Sequence, residues 1–186
     1  MIIPVARAAT IVQKRPSEVI KFDIELKDKL ATSETLSAFA STFPAVSPTG
    51  QLVVTGALSG TQAQITASSG NAEELFSVDV ATDRIAVAAH TFVDGDEVYF
   101  VGQNLPAPLE ERKSPTTGGA TYFVRDKTAG DFKVTTKKDQ SGVLGEAIDI
   151  LSDGEGCVGH DYVVTVRCTT SNSQTVDGEA VVMVGR

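Results

Sequence analysis

The sequence predicts an all-β protein of the sandwich or barrel type, and three features of the chain indicate this. The β-branched residues Val and Thr are abundant, and their stiff side chains pack well on a pleated sheet. Short β-forming runs recur about every ten residues with Gly, Pro, Asn and Asp between them, which is typical of sandwiches and barrels. The chain also ends on two β-rich runs, 160–168 and 178–186, joined by the polar link 169–177.

The two ends of the chain are predicted to build one sandwich. Near the start, Phe22, Ile24 and Leu26 alternate with charged residues, and this period of two predicts a strand over 19–26 with one buried face. The strand matches the two final β-rich runs, so the middle of the chain is expected to be in part an insertion. The other segments of this region are a short strand with loops at 28–43 and strands at 51–55 and 62–67.

A second module is predicted from Leu75 onward, where the strands carry more aromatic and longer charged side chains. The pair Asp94-Gly95, flanked by β-formers, predicts a hairpin over 92–101, because Asp-Gly suits a tight hairpin turn. The segment 103–119 contains three prolines; these lack a ladder donor, so an exposed contact loop is expected. The remaining predicted strands of this module are 76–80, 84–88, 121–125, 132–136 and 147–151.

The bulk composition narrows the function classes. A chain of 186 residues forms one domain or two small ones. Its net charge of −8 argues against a sequence-independent DNA-binding protein, which needs cations to displace counterions. No signal peptide is visible and no apolar run approaches the ~20 residues of a membrane span, so a soluble protein made in a cytoplasm is expected. Cys157 and Cys168 are expected to be free thiols, since an extended strand would carry them apart.

No group of side chains in the sequence indicates catalysis or metal binding. The acidic cluster Asp94, Asp96 and Glu97 lacks the alternating ligands and distal acid of a calcium loop, and we interpret it as a solvated turn. His90 and His160 have neither a serine elbow nor zinc-site spacing around them, and we interpret both as polar loop residues. Carboxylate pairs for glycoside hydrolysis stay open, but the absence of Trp argues against a carbohydrate cleft. We therefore expect no catalytic residue, no cofactor and no metal.

Two separated stretches of the chain resemble one protein family. They are residues 14–24, KRPSEVIKFDI, and residues 159–170, GHDYVVTVRCTT, the latter followed by DGEA at 177–180. They are similar to the opening strand and the final hairpin of small tailed-bacteriophage structural proteins, the fibre–tail adaptors. The middle of the chain resembles a separate β module of phage virion proteins. The resemblance implies an immunoglobulin-like β-sandwich, discontinuous in the chain, with a second small β-sandwich or barrel module inserted.

The resemblance also implies domain boundaries and a role. The sandwich is expected to comprise 1–72 plus 154–186, and the inserted module 73–153. The implied role is that of a non-enzymatic structural component of a tailed-phage virion, an adaptor or connector in the neck, collar or tail that links neighbouring virion proteins or fibres. Expected partners are connector, tail or fibre subunits and copies of the chain around a symmetric axis, with no nucleic acid and no membrane. The location would be the virion, after assembly in the host bacterial cytoplasm.

The interface with such partners is expected to use the N-terminal arm, which would add a strand to the edge of a neighbouring subunit, and the proline-containing loop. The predicted interface residues are Ile2, Ile3, Val5, Ile11, Val12, Leu105 and Leu109. A competing interpretation is a glycan- or receptor-binding, or capsid-decorating, β-sandwich. A third is an enzyme that uses scattered acidic residues.

Overall fold

Strands dominate the computed structural model of the protein, which describes residues 10–47, 51–71, 73–88, 90–112 and 120–184. Within these residues the only helical element is a short 3₁₀ helix, Lys27–Lys29. The predicted all-β class is therefore confirmed.

Fourteen strands are present in the described residues. In chain order they are β1 (Thr10–Lys14), β2 (Ile20–Glu25), β3 (Leu36–Phe39), β4 (Ala45–Ser47), β5 (Leu52–Ser59), β6 (Gln62–Ser69), β7 (Glu74–Asp79), β8 (Arg84–Ala86), β9 (Glu97–Asn104), β10 (Tyr122–Arg125), β11 (Asp131–Thr135), β12 (Glu155–Gly159), β13 (Asp161–Thr170) and β14 (Thr175–Val184).

The chain divides into two compact units. The first unit comprises Met1–Asn71 together with Asp161–Arg186, and the second unit comprises Ala72–His160. The sequence had placed the second boundary between 153 and 154, and this position needs correction. Strand β12 lies beyond that point, yet it pairs with β7 and β9 and so belongs to the second unit.

The first unit is a β-sandwich of two sheets. The larger sheet has the order β1-β14-β13-β3, with β4 also paired to β13, and the smaller sheet has the order β2-β6-β5. Strands β13 and β14 form the antiparallel hairpin that the sequence predicts, and β1 runs parallel to β14. Both hairpin strands extend into the predicted polar link, because Thr170 and Val176 continue the buried alternation there.

One hydrophobic core joins the two ends of the chain. Val164 is fully buried, and Phe22 packs against the same cluster, which confirms the predicted common core. Tyr162 lies in this core with its ring buried. Its hydroxyl oxygen accepts the N–H of Asn71 at 2.9 Å, and the hydroxyl donates to Gln51 Oε1 at 2.7 Å. The finer immunoglobulin-like topology stays a prediction.

The second unit is a closed barrel with the strand order β10-β11-β8-β7-β12-β9. The predicted strands 121–125 and 132–136 correspond to β10 and β11, which pair antiparallel, and the predicted strands 76–80 and 84–88 correspond to β7 and β8, which also pair antiparallel. Large rings fill the interior: Phe100 meets Phe76 and Tyr122 edge to face, with ring centroids 5.3 and 5.2 Å apart. Aromatic pairs prefer this geometry because the positive edge of one ring faces the negative face of the other.

Two strand predictions for the second unit are wrong. Residues 92–93 are not a strand, because the Asp94-Gly95 turn bonds instead to β10, with the Gly95 N–H donating to the carbonyl of Val124 at 2.8 Å. Residues 147–151 form no strand either. Ile150 is 1% exposed, but its N–H donates to the Asp83 carboxylate rather than to a neighbouring strand. The buried apolar side chains of 147–151 give the sequence a strand-like pattern, although this segment forms no ladder of hydrogen bonds with a neighbouring strand.

Candidate interaction surface

Strand β1 places two predicted interface residues on opposite faces of the larger sheet. Ile11 lies opposite Val181 of β14, and Val12 lies opposite Val182. Because successive side chains of a strand point to opposite faces, Val12 packs against the core of the first unit, while Ile11 is 40% exposed on the outer face. Ile11 is therefore available to a partner, and Val12 contributes mainly to the core.

Ile11 is one end of an apolar row that crosses three strands. Val181 pairs with Ile11 on one side and with Val163 of β13 on the other. All three side chains share the outer face, and Val163 and Val181 are half-buried. Met183, also half-buried, lies two residues beyond Val181 on that face. We call Ile11, Val181, Val163 and Met183 the outer apolar row.

Sequence reasoning missed this row beyond Ile11, although a signal was present. Both final strands contain consecutive apolar residues, VV at 163–164 and AVVMV at 180–184. A strand with one wet face alternates, whereas a strand covered on both faces has an unbroken apolar run. These runs therefore indicated that the outer face is partly apolar as well.

A buried lysine anchors the end of β1. Lys14 is 4% exposed, and its Nζ donates to the carbonyl oxygens of Arg15 at 2.6 Å, of Pro16 at 3.2 Å and of Ser69. Desolvation lowers the pKa of Lys14, and the Glu18 carboxylate partly opposes this. The bond to Ser69 links the end of β1 to the end of β6, while the bonds to Arg15 and Pro16 stabilise the turn that follows β1.

The other predicted interface residues have different outcomes. Ile2, Ile3 and Val5 lie outside the described residues. Leu109 is 7% exposed and belongs to the core of the second unit, so the interface role predicted for it must be corrected. Leu105 is half-buried against the same core. The described part of the predicted contact loop therefore turns its leucines inward to fill the barrel.

The acidic cluster at 94–97 organises a turn. Asp94 Oδ1 accepts the N–H of Lys127 at 3.0 Å, and Asp96 Oδ2 accepts the N–H of Val93 at 2.9 Å. Burial raises the pKa of Asp96, while its bond with Val93 and the nearby Lys138 and Lys127 act in the opposite direction. These carboxylates have structural partners, and among the described residues no group of three His, Cys, Asp or Glu side chains is arranged to hold a metal ion.

Both histidines are core residues, which corrects their interpretation as polar loop residues. His90 is 8% and His160 4% exposed. The ring of Phe92 stacks on His90 at 5.5 Å and meets His160 edge to face at 5.3 Å. Neither ring nitrogen of His90 has a hydrogen-bond partner in the part of the chain that the structure describes. The burial could not be predicted from the sequence, because His90 precedes a predicted strand and His160 begins one, and neither position indicates which way the ring points.

The cysteines and the helical content add two further facts. Cys157 and Cys168 are both free, and burial raises the pKa of the Cys168 thiol. Within the described residues, no helical segment has the length and apolar character that a membrane-spanning helix needs.

Comparison of the chain with protein-family models, with curated proteins and with solved structures found no match.

Proposed function

We propose that the protein is a non-enzymatic structural component of a tailed-phage virion, an adaptor or connector in the neck, collar or tail that links neighbouring virion proteins or fibres. One observation carries the proposal. The stretches that resemble fibre–tail adaptors, 14–24 and 159–170 with 177–180, are far apart in sequence but, from Asp161 onward for the second, lie in one sandwich, where β2 and the β13–β14 hairpin share a core. A resemblance that is split along the chain is thus consistent with a single structural unit.

The outer apolar row is the surface that we assign to a neighbouring virion protein. An apolar strip on the outer face of a sheet is typical of a protein contact; here Ile11 is 40% exposed and the other members of the row are half-buried. In the sequence, the row begins after the arm that carries Ile2, Ile3 and Val5. The protein would be a part of the virion, which is assembled in the host bacterial cytoplasm. Its partners would be connector, tail or fibre subunits and further copies of itself.

Analysis of particles tests the proposal. Particles purified on a density gradient from cells that carry the natural genome should contain the chain at a fixed ratio to the major head protein, measured by quantitative mass spectrometry. Absence of the chain from intact particles would reject a structural role.

A pair of matched variants tests the surface. Ile11→Lys places a charge in the outer apolar row and should leave a folded chain that is not incorporated into particles. Thr55→Lys, on the exposed face of the smaller sheet, is the control and should be incorporated normally. Equal incorporation of both variants would exclude the row as the contact. The virion role would then still be decided by the mass spectrometry of purified particles.

A further inference from the structure

Strand β2 is an open edge of the smaller sheet. In the order β2-β6-β5, β2 has a neighbouring strand on one side only within the described residues. The Leu26 N–H donates to the carbonyl of Thr61 in the same register that pairs Ile24 with Ala63 and Phe22 with Ile65. Hydrogen-bonded pairs recur at every second residue of an antiparallel ladder. The even-numbered residues of β2 therefore bond to β6, and Lys21 and Asp23 direct their main-chain N–H and C=O groups to the open edge.

The side chains of Lys21 and Asp23 along this edge carry opposite charges and have no charged partner among the described residues. Lys21 and Asp23 are both exposed on the outer face, and neither forms an ion pair with a described residue. Glu25, the next residue on the same face, differs because its carboxylate accepts hydrogen bonds from Thr61 and Gln62. An open edge with unpaired main-chain groups is a template for pairing with another strand.

We propose that β2 pairs antiparallel with β2 of a second copy of the chain about a two-fold axis, with Lys21 opposite Asp23 of the partner subunit. A two-fold interface is reciprocal, so each contact occurs twice. The six strands of the two small sheets would then form one continuous sheet. This inference does not depend on the proposed virion role.

Charge selects the register of this pairing. The outward main-chain groups belong to odd-numbered residues, and the registers that set Lys21 and Asp23 opposite themselves or each other place the axis at Lys21, Phe22 or Asp23. An axis through Lys21 sets that lysine against Lys21 of the partner subunit, and an axis through Asp23 sets two aspartates against each other. Like charges directly opposite destabilise a strand pair. The axis through Phe22 creates two Lys–Asp pairs and is the register that charge favours.

The inner face supports the same register. Ile20 and Phe22 are half-buried at the margin of the core of the first unit. With the axis at Phe22, this ring lies opposite Phe22 of the partner subunit, and Ile20 lies opposite Ile24 of the partner subunit. Pairing would thus bury apolar surface that an isolated edge leaves partly wet. The other edge of the sheet, β5, has no charged residue, so charge pairs could not fix the register of a strand that pairs with it.

A charge-swap experiment tests the proposal with the full-length protein. Sedimentation velocity over a concentration series should detect a dimer of the natural chain. Lys21→Asp and Asp23→Lys each create two like-charge pairs at the axis and should raise the dimer Kd by roughly tenfold. The double variant restores opposite charges and should return Kd to near the natural value. Lys27→Asp, which changes net charge as Lys21→Asp does but lies outside β2, should leave Kd unchanged.

Amide exchange gives a second readout that does not depend on charge. As protein concentration rises, the amides of Lys21 and Asp23 should gain protection, whereas those of Phe22 and Ile24 should be protected throughout by their bonds to β6. A chain that stays monomeric, a double variant as weak as the single variants, or protection that does not rise at Lys21 and Asp23 would each overturn the proposal.

Discussion

The two units bury their strands with different side chains. Among the buried residues that the structure describes, the core of the first unit is aliphatic apart from Tyr162 and Cys168, whereas the core of the second unit contains five aromatic rings. They are Phe76, Phe92, Phe100, Tyr122 and Phe132. Two facing sheets lie about 10 Å apart, and the space between them is filled by interdigitated aliphatic residues. A closed barrel of short strands has a rounder interior, which large rings fill with fewer residues.

The two units also differ in their exposed strand edges. The barrel is closed, so each of its six strands has a neighbour on both sides. The sandwich leaves five strands at the edges of its sheets within the described residues: β1, with β3 and β4 on the other side, in the larger sheet, and β2 and β5 in the smaller sheet. Edge strands can accept a strand from another chain, while closed barrels cannot. We therefore assign both proposed contacts, the outer apolar row and the β2 edge, to the sandwich.

The largest expected effect comes from removing a ring from the barrel. Phe100 is 0% exposed and contacts two other rings. Phe100→Ala should lower the free energy of unfolding of the second unit by about 3–5 kcal/mol, because it leaves a large cavity. Val182→Ala in the aliphatic core of the first unit should cost about 2 kcal/mol. Urea titrations followed by segment-resolved hydrogen exchange measure both, and equal costs would contradict the contrast between the cores.

A glycine substitution tests how closely the two layers of the sandwich approach. A Cβ on Gly178 would lie 2.7 Å from both Ile24 Cγ2 and Leu26 Cδ2. Gly178→Ala should therefore destabilise the first unit by about 1–3 kcal/mol through overpacking. The control is Gly130→Ala in the barrel, where a Cβ meets nothing within 4 Å, and this should be neutral or stabilising by up to about 1 kcal/mol. Thermal unfolding of the two variants distinguishes them, and a harmless Gly178→Ala would mean that the layers can separate.

The contrast also explains which parts of the fold could be predicted from sequence. Phe22, Ile24 and Leu26 alternate with charged residues because one face of β2 is buried and the other is wet, so the period of two was visible. The strand predicted at 147–151 in the barrel is wrong. Ile150 is buried there, but its segment is not a strand, and its N–H donates to the Asp83 carboxylate instead of to a neighbouring strand. The local pattern of apolar residues indicates which side chains are buried, but it does not indicate whether a neighbouring strand is present.

The candidate surfaces were predictable only in part. The sequence predicts Ile11 as an interface residue of the arm together with Val12, but the row that contains Ile11 depends on the parallel register of β1 with β14, which no local signal specifies. Leu109 has the same chemistry as Ile11 and follows a proline-containing stretch, so only tertiary packing reveals that it is buried. The open edge of β2 likewise depends on strand order. Long-range pairing, rather than residue type, decides which side chains are available.

His90 offers a test of the aromatic core that is expected to raise stability. Its ring is buried against Phe92 and Phe132, and both nitrogens lack partners within the described residues. Replacing an unsatisfied buried polar group with an apolar group of similar shape removes a desolvation cost. His90→Phe should therefore stabilise the second unit by about 1 kcal/mol, and His90→Ala, which leaves a cavity, should destabilise it. Chemical denaturation checks both, and a destabilised His90→Phe would indicate that the ring nitrogens have a stabilising role.

Asp96 gives the smallest expected effect, which is a pH dependence of the stability of the second unit. Burial raises the pKa of Asp96 above its ordinary value, so the folded state takes up a proton more readily than the unfolded chain. The charged form therefore weakens the second unit at neutral pH, and this penalty is relieved as pH falls through the raised pKa towards the ordinary value of about 4. Asp96→Asn keeps an oxygen acceptor for the Val93 N–H and removes the charge. The variant should be at least as stable as the natural chain at pH 7, with the difference shrinking as the pH is lowered to about 4, as measured by Tm at each pH. A difference that grows with acidity would show that Asp96 stabilises the turn as a carboxylate.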